Sequence, residues 1–201
     1  MSSESIAEYK IILASNSSIR KKILEDSGIS FEVIASDVDE EELKKSFSSK
    51  NFKDNCLALA KAKALEVSNK QKNAYVIGSD QICCYGEEIF SKPLTKENCF
   101  KTLSKLSGNT HYQNCGISIC KDGKEIWSHY AQASLTMKSL SDSEIKDYID
   151  KDEPLMACGA YRFESLGKNL FLSTKGDETT IQGLTLNPII NFLSSEKVID
   201  I

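Results

Sequence analysis

Two strand-like runs, residues 112–120 and 124–137, flank the dipeptide Asp122-Gly123. The commonest two-residue hairpin turn needs positive φ at both central positions, and Asp-Gly is among the few pairs that tolerate it. The second half of the chain must therefore hold an antiparallel ribbon. The first half alternates instead. Residues 10–14 (KIILA) read as a strand, and Asn16 or Ser17 caps a helix that Gly28 ends near Ser27. Residues 31–35 (FEVIA) read as a second strand before an acidic loop, SDVDEEE, and a longer helix spans 52–70. The apolar run VIGSDQICC is a third strand, with a turn at 85–88 and a short strand behind it. Thr95 caps a helix ending near Ser107-Gly108, Ser141 caps another to residue 150, and Pro188 starts a last helix over 187–194. Between them, the segment after Pro154 mixes turns with a strand. Early alternation with a later hairpin predicts an α/β fold, a mixed sheet flanked by helices.

No repeat, low-complexity tract or Pro/Gly-rich linker divides the chain, so a single domain over 1–201 is expected. Hydrophobic residues at 40% and charged residues at 27% fit a folded soluble protein and exclude a disordered one. A net charge of −4 argues against broad binding of polymeric nucleic acid. No apolar run approaches the ~18–20 residues of a membrane span. The opening MSSESIAEYK lacks the basic and apolar regions of an export signal. Seven cysteines, an odd number with no CxxC pair, read as reduced thiols in the cytoplasm rather than as a disulfide framework or zinc site.

Several residues break the ordinary rules. Asp80 sits in the middle of VIGSDQICC, where an unpaired buried carboxylate costs several kcal/mol, of the order of a domain's whole stability. At 100° per residue, Lys63 falls in the apolar stripe of Cys56, Leu59, Ala60 and Val67, whereas Lys61 points away. A lysine on a core face either snorkels to the rim or meets a buried anion. Arg20, Lys21 and Lys22 crowd the first turn of a helix, whose dipole prefers acids unless an anion binds there. Glu40 follows a strand, and Lys92 precedes Pro93. Cations that neutralise a polyphosphate, with carboxylates that hold a divalent metal and polarise water, are the equipment of metal-assisted phosphoanhydride chemistry. Asp80 is the expected general base. The only histidines, His111 and His129, lie in no nucleophile motif, and no GxSxG, Walker or GxGxxG pattern occurs.

Four blocks in order carry a family resemblance: ILASNSSIRKKILEDSGISFEV, VIGSDQICCYGEEIFSKPLTKENCFKTLSKLSGNTH, YIDKDEPLMACGAYRFESLG and KGDETTIQGLTLNPIINFL. The first resembles the LILAS-x-S-P-x-R-R-x-LL opening of Maf-type nucleotide pyrophosphatases, and the second resembles their G-[AS]-D, KP and L-SG block. Residues 1–9 form an N-terminal extension to that pattern. The resemblance implies a Maf/ITPase-like fold, a strongly twisted sheet with a cleft between two lobes. It implies hydrolysis of nucleoside triphosphates to monophosphate and pyrophosphate with Mg²⁺ or Mn²⁺. It places the phosphate-binding serine and arginine at Ser15 and Arg20, the metal-binding acids at Glu40 and Asp80, and the catalytic lysines at Lys63 and Lys92, with Asp80 as proton acceptor. The expected partner is the nucleotide alone, with no membrane and no polymeric nucleic acid; a homodimer is left open.

Within the family, Gln81 and Glu164 resemble the 7-methyl-GTP branch, as does the pattern GSDQIC with KPLT-EN. A carboxylate at Glu164 would accept the two N–H donors of a guanine edge, which pyrimidines lack. Ile19 departs from that branch, which usually carries Pro-Trp at positions 18 and 19, so weaker preference for the methylated base is expected. The alternatives are a dTTP/UTP pyrophosphatase, or a septum-formation regulator acting through protein partners, a role with which Maf proteins are also associated.

Overall fold

The computed structural model describes residues 9–47 and 51–200. Strand β1 (Lys10–Leu13) leads through Ser15 into α1 (Ser18–Asp26), where the Ser17 hydroxyl accepts the Arg20 N–H at 3.5 Å. Gly28, at φ +78°, turns the chain back. The strand expected over 31–35 is only β2 (Glu32–Val33). Its partner β1 is four residues long and ends where the chain swings into α1, so little remains for β2 to pair with. The acidic stretch expected as a loop holds a helix, α2 (Glu40–Lys44), capped by the Asp39 carboxylate, which accepts the Glu42 N–H at 3.0 Å. Helix α3 (Phe52–Lys70) and strands β3 (Ala74–Tyr85) and β4 (Glu88–Phe90) follow as the sequence indicates. Then come α4 (Lys96–Leu106), β5 (Thr110–Lys121) and β6 (Lys124–Met137). Asp122 and Gly123, at φ 51° and 78°, make the turn between the last two. A capping box between Ser141 and Glu144 opens α5 (Asp142–Asp152). The 3-10 turn Leu166–Leu170, β7 (Phe171–Lys175), a short α6 (Glu178–Ile181) that the sequence reading lacks, and α7 (Leu186–Ser195) complete the chain.

The seven-stranded sheet runs β2-β1-β3-β5-β6-β7, with β4 added on β3. β1 is parallel to β2 and β3, and the remaining pairs are antiparallel, so the sheet is mixed. Of the expected extension over residues 1–9, all but Tyr9 lies outside the described residues. Among the described residues, no helix is long and apolar enough to cross a membrane.

Two features of β3 position the site. One edge pairs with β5 from Val76 to Cys84, while the other pairs with β1 up to Ile77 and with β4 only from Cys83. Among the described residues, 78–82 thus have no strand on that second edge. The second feature is the close approach of α3. A Cβ on Gly78 would lie 2.1 Å from the Ala60 carbonyl oxygen, and one on Gly116 2.6 Å from the Cys56 carbonyl group. Only glycine admits a helix backbone that near a sheet. Below α3 pack Ile12, Ala64, Val67 and Val76; on the opposite face Leu13, Leu24, Ile77 and Leu193 bring in α1 and α7. A third apolar group, including Leu103, Leu135, Met137 and Ile145, holds α4 and α5 against the far halves of the long strands.

Candidate active site

Side chains alternate across β3, which sorts the residues around Asp80. Asp80 shares the face of Gly78 and looks toward α3. There the Lys63 Nζ donates to Asp80 Oδ1 at 2.7 Å and lies 2.8 Å from Glu40 Oε1. Both Lys63 and Asp80 side chains are only 11% exposed. The lysine that periodicity placed on a core face thus meets two carboxylates, one from the strand and one from the first turn of α2. Lys61 points outward to Glu125 at 2.8 Å. Partial burial opposes ionisation of Glu40, but the hydrogen bond and charge of Lys63, then Lys44 and Lys92, outweigh it and hold its carboxyl below the usual range. Lys44 is a cation that the sequence reading passed over. Burial opposes its charge as well, yet Glu41, Glu40 and Asp80 raise its ammonium above the ordinary value. Lys92 is exposed beyond β4.

Ser79 and Gln81 look the other way. Ser79 Oγ donates to the Gly183 carbonyl at 2.7 Å, and Gln81 Nε2 donates to the carbonyls of Thr180 and Ile181 at 3.1 and 2.7 Å. Arg20 joins them: Nε donates to Gly183 O at 2.7 Å, and Nη1 to Ser79 O at 3.0 Å and Ser15 Oγ at 3.4 Å. Of the three cations in the first turn of α1, only Arg20 turns inward. Lys21 and Lys22 pair with Glu25 and Asp26 one turn on, as on any solvated helix face. Ser15, Arg20, Ser79 and the 180–183 turn therefore form one polar seam on the open edge of β3.

Beside that seam lies a cavity of about 270 Å³, with Ile19, Phe163, Glu164 and Gln182 in its wall. The structure brings Ile19 and Glu164, 145 positions apart in the chain, to one cavity. Gln81 does not line it but holds the backbone of residues 180 and 181, next to Gln182 of its wall. Phe163, Lys168 and Glu178 also line the cavity, and the sequence reading missed them. Alternation around Asp80 was a signal for Ser79, and Asp39 followed by Glu42 was a signal for α2; nothing local marked Phe163.

The fit of a divalent cation follows from the donor set. Asp80 and Glu40 offer hard carboxylate oxygens that converge on a single ammonium. Among the described residues, no group of three or more His, Cys, Asp or Glu side chains is placed to hold a metal. Two carboxylates with the balance from water and phosphate is how Mg²⁺ is commonly held at nucleotide sites.

The Maf-like protein family model matches residues 10–196. A nucleoside triphosphate pyrophosphatase of Legionella pneumophila (strain Corby) is 39% identical over 199 residues, covering 99% of this chain and 100% of that protein. A 7-methyl-GTP pyrophosphatase of Brucella abortus biovar 1 (strain 9-941) is 40% identical over 195 residues, 95% of this chain and 98% of that protein. Among solved structures, the Ham1 protein of Staphylococcus aureus aligns with a TM-score of 0.49 at 18% identity, over 93% of this chain and 99% of that one. With the family model spanning nearly the whole chain and relatives of this identity aligned end to end, the chain belongs to the Maf family.

Proposed function

We propose that the protein is a nucleoside triphosphate pyrophosphatase, adding water across the α–β phosphoanhydride to release a nucleoside monophosphate and pyrophosphate. The observation that carries this reading is the sharing of Lys63 between Asp80 and Glu40 at 2.7 and 2.8 Å, beside the Arg20 seam. Asp80 and Glu40 would hold Mg²⁺ or Mn²⁺, which supplies neutralisation of charge on the phosphate oxygens. Asp80 takes the proton of the attacking water, and Lys63 fixes the orientation of that carboxylate. Arg20, clamped by two backbone carbonyls, presents its guanidinium with the Ser15 hydroxyl at the start of α1, where free N–H groups favour phosphate. Lys92 and Lys44 add positive charge near Glu40. Lys63, Arg20 and Lys92 meet charge in both ground and transition states, so their loss raises KM as well as lowering kcat.

The base enters the cavity of Ile19 and Glu164, where the Glu164 carboxylate accepts guanine N–H donors, and 7-methyl-GTP or a related modified guanine nucleotide is the substrate. The Brucella relative bears that name, which supports the choice. Purified protein with Mg²⁺ or Mn²⁺ and a nucleotide panel provides the test. Pyrophosphate release, greatest with 7-methyl-GTP, is expected, and Glu164→Gln should shrink the lead over UTP by roughly 5- to 150-fold. Preference for dTTP or UTP would overturn the substrate, and orthophosphate as the primary product would overturn the reaction.

A further inference from the structure

The cavity wall contains an arrangement outside the residues to which the family resemblance gives a role. Phe163 lines it, and the Lys168 ammonium stands over the Phe163 ring, 5.5 Å from its centroid. The same ammonium pairs with Glu178, also in the wall. Phe163 is otherwise a core residue, its ring 5.9 Å from that of Phe171, so its position is fixed by packing rather than by the lysine. An aromatic face, a carboxylate and a cation lodged between them make a site for a planar positive charge. The cation is on a long, mobile side chain, and Lys168 and Glu178 are 57% and 56% exposed. An exposed pair of this kind contributes little to stability, so displacing the lysine costs little.

We infer that Phe163 and Glu178 form the recognition element for a cationic, N7-alkylated purine, and that Lys168 is the built-in competitor which such a base displaces. This rests on the proposed pyrophosphatase reading only for the identity of the substrate's base. Ile19 gives the cavity no aromatic surface, and Phe163, from the opposite end of the chain, supplies one. Methylation at N7 spreads a positive charge over the imidazole ring of guanine. That charge gains the ring face of Phe163, and the departure of Lys168 frees Glu178 to face it. Neutral guanine lacks the charge needed to compete. At about 270 Å³ the cavity falls just under the ~300–1,000 Å³ of whole-ligand pockets and suits a single heterocycle.

Two substitutions give opposite outcomes. Phe163→Leu keeps apolar volume in the core but removes the ring face. It should lower the preference for 7-methyl-GMP over GMP, measured by calorimetric binding, about 2- to 10-fold. Lys168→Met removes the competitor and leaves Glu178 unpaired, so it should raise the same preference by a similar factor. A gain of selectivity in Lys168→Met cannot come from misfolding. Equal binding of the two nucleotides by the wild-type protein would overturn the inference, as would a wild-type preference in Lys168→Met. Turnover of 7-methyl-GTP and GTP, followed by pyrophosphate release, separates the two readings. Selective binding without turnover would overturn the pyrophosphatase reading alone, and turnover without selective binding would overturn this one alone.

Discussion

The Lys63 Nζ donates to Asp80 Oδ1 across 2.7 Å, from a helix to a strand that it nearly touches. The two residues are 17 positions apart, and their bond forms where Gly78 lets the Ala60 carbonyl lie against β3. Asp80 sits opposite Gly116, the other glycine under α3, so neighbouring strands make room for the same helix. The cluster is thus set by backbone approach. Glu40 then comes to the same ammonium from α2, which makes Lys63, among the described residues, the only cation bonded to both acids.

Asp80→Asn is expected to abolish most turnover while leaving the fold intact. The amide oxygen still accepts the Lys63 hydrogen bond, but the group no longer takes a proton. Loss of a general base removes roughly 10²–10⁴-fold of rate, and a lost metal contact adds to that. Pyrophosphate release by a variant with wild-type circular dichroism checks this; near-normal rates would remove Asp80 from the chemistry.

Lys63→Met should destabilise the protein by about 3–5 kcal/mol at neutral pH, because the buried Asp80 carboxylate is left without its partner. The effect depends on pH with a definite sign. Glu40 has a lowered folded pKa in the wild type, so its contribution is fully present above the unfolded value of 4.5 and is lost as pH falls through the folded value. In the variant the hydrogen bond and charge of Lys63 no longer hold the Glu40 carboxyl down, and only the weaker pull of Lys44 and Lys92 remains, so most of that contribution is gone. The difference between wild type and variant in urea midpoint should therefore be larger at pH 7 than at a pH below the lowered folded value of Glu40. An equal gap at both would mean that Lys63 does not hold these acids.

Much of this site was legible in the sequence because each residue violated a local rule. Lys63 interrupts an apolar stripe and Asp80 interrupts an apolar strand, and each is the other's partner. The Asp-Gly turn likewise announced the ribbon of β5 and β6. What was not legible depends on contacts between distant segments. Arg20 was marked as an anion ligand by its place at a helix start, yet nothing local shows that Ser79 and Gly183 carbonyls clamp its guanidinium. Phe163 resembles any core aromatic until the chain brings it beside Ile19. Strand β2 looked longer because FEVIA has strand composition, whereas its length is set by the short neighbour it pairs with. Three glutamates in a row read as a solvated loop, although Asp39 and the helix dipole make them a good first turn.

A different pH dependence is expected from His111. Its ring is fully buried, Nε2 is 2.9 Å from the Tyr161 hydroxyl, and Nδ1 is buried with no partner among the described residues. Burial lowers its pKa from 6.5 to about 4. The unfolded chain therefore binds a proton that the folded chain refuses. Stability should fall as pH drops from about 6.5 to about 4, by roughly 1.4 kcal/mol per unit and about 3 kcal/mol in all, and level off below. His129, lowered by partial burial, acts with the same sign. Urea midpoints between pH 7 and 4.5 should slope steeply in wild type and less in His111→Asn. This window lies above that of Glu40, so the two can be read separately. Identical slopes would mean that His111 takes up its proton while folded.

The last test concerns the backbone contact itself. In Gly78→Ala the new methyl would meet the Ala60 carbonyl at 2.1 Å, and the neighbour is helix backbone, which cannot rotate away. Helix α3 must lift, at a cost of about 1–3 kcal/mol or more. Lys63 rides on that helix, so its reach to Asp80 should lengthen and turnover should fall together with stability. Gly28→Ala separates the two effects. Gly28 has φ +78° and nothing within 4 Å of the added methyl, so the substitution strains the chain at about 1 kcal/mol without moving α3. Pyrophosphate release measured well below each variant's melting temperature should drop steeply for Gly78→Ala and hold for Gly28→Ala. If Gly78→Ala is destabilised yet keeps full activity, the spacing of α3 from β3 does not set the geometry of Lys63 and Asp80. A parallel loss in both variants would instead assign the effect to stability alone.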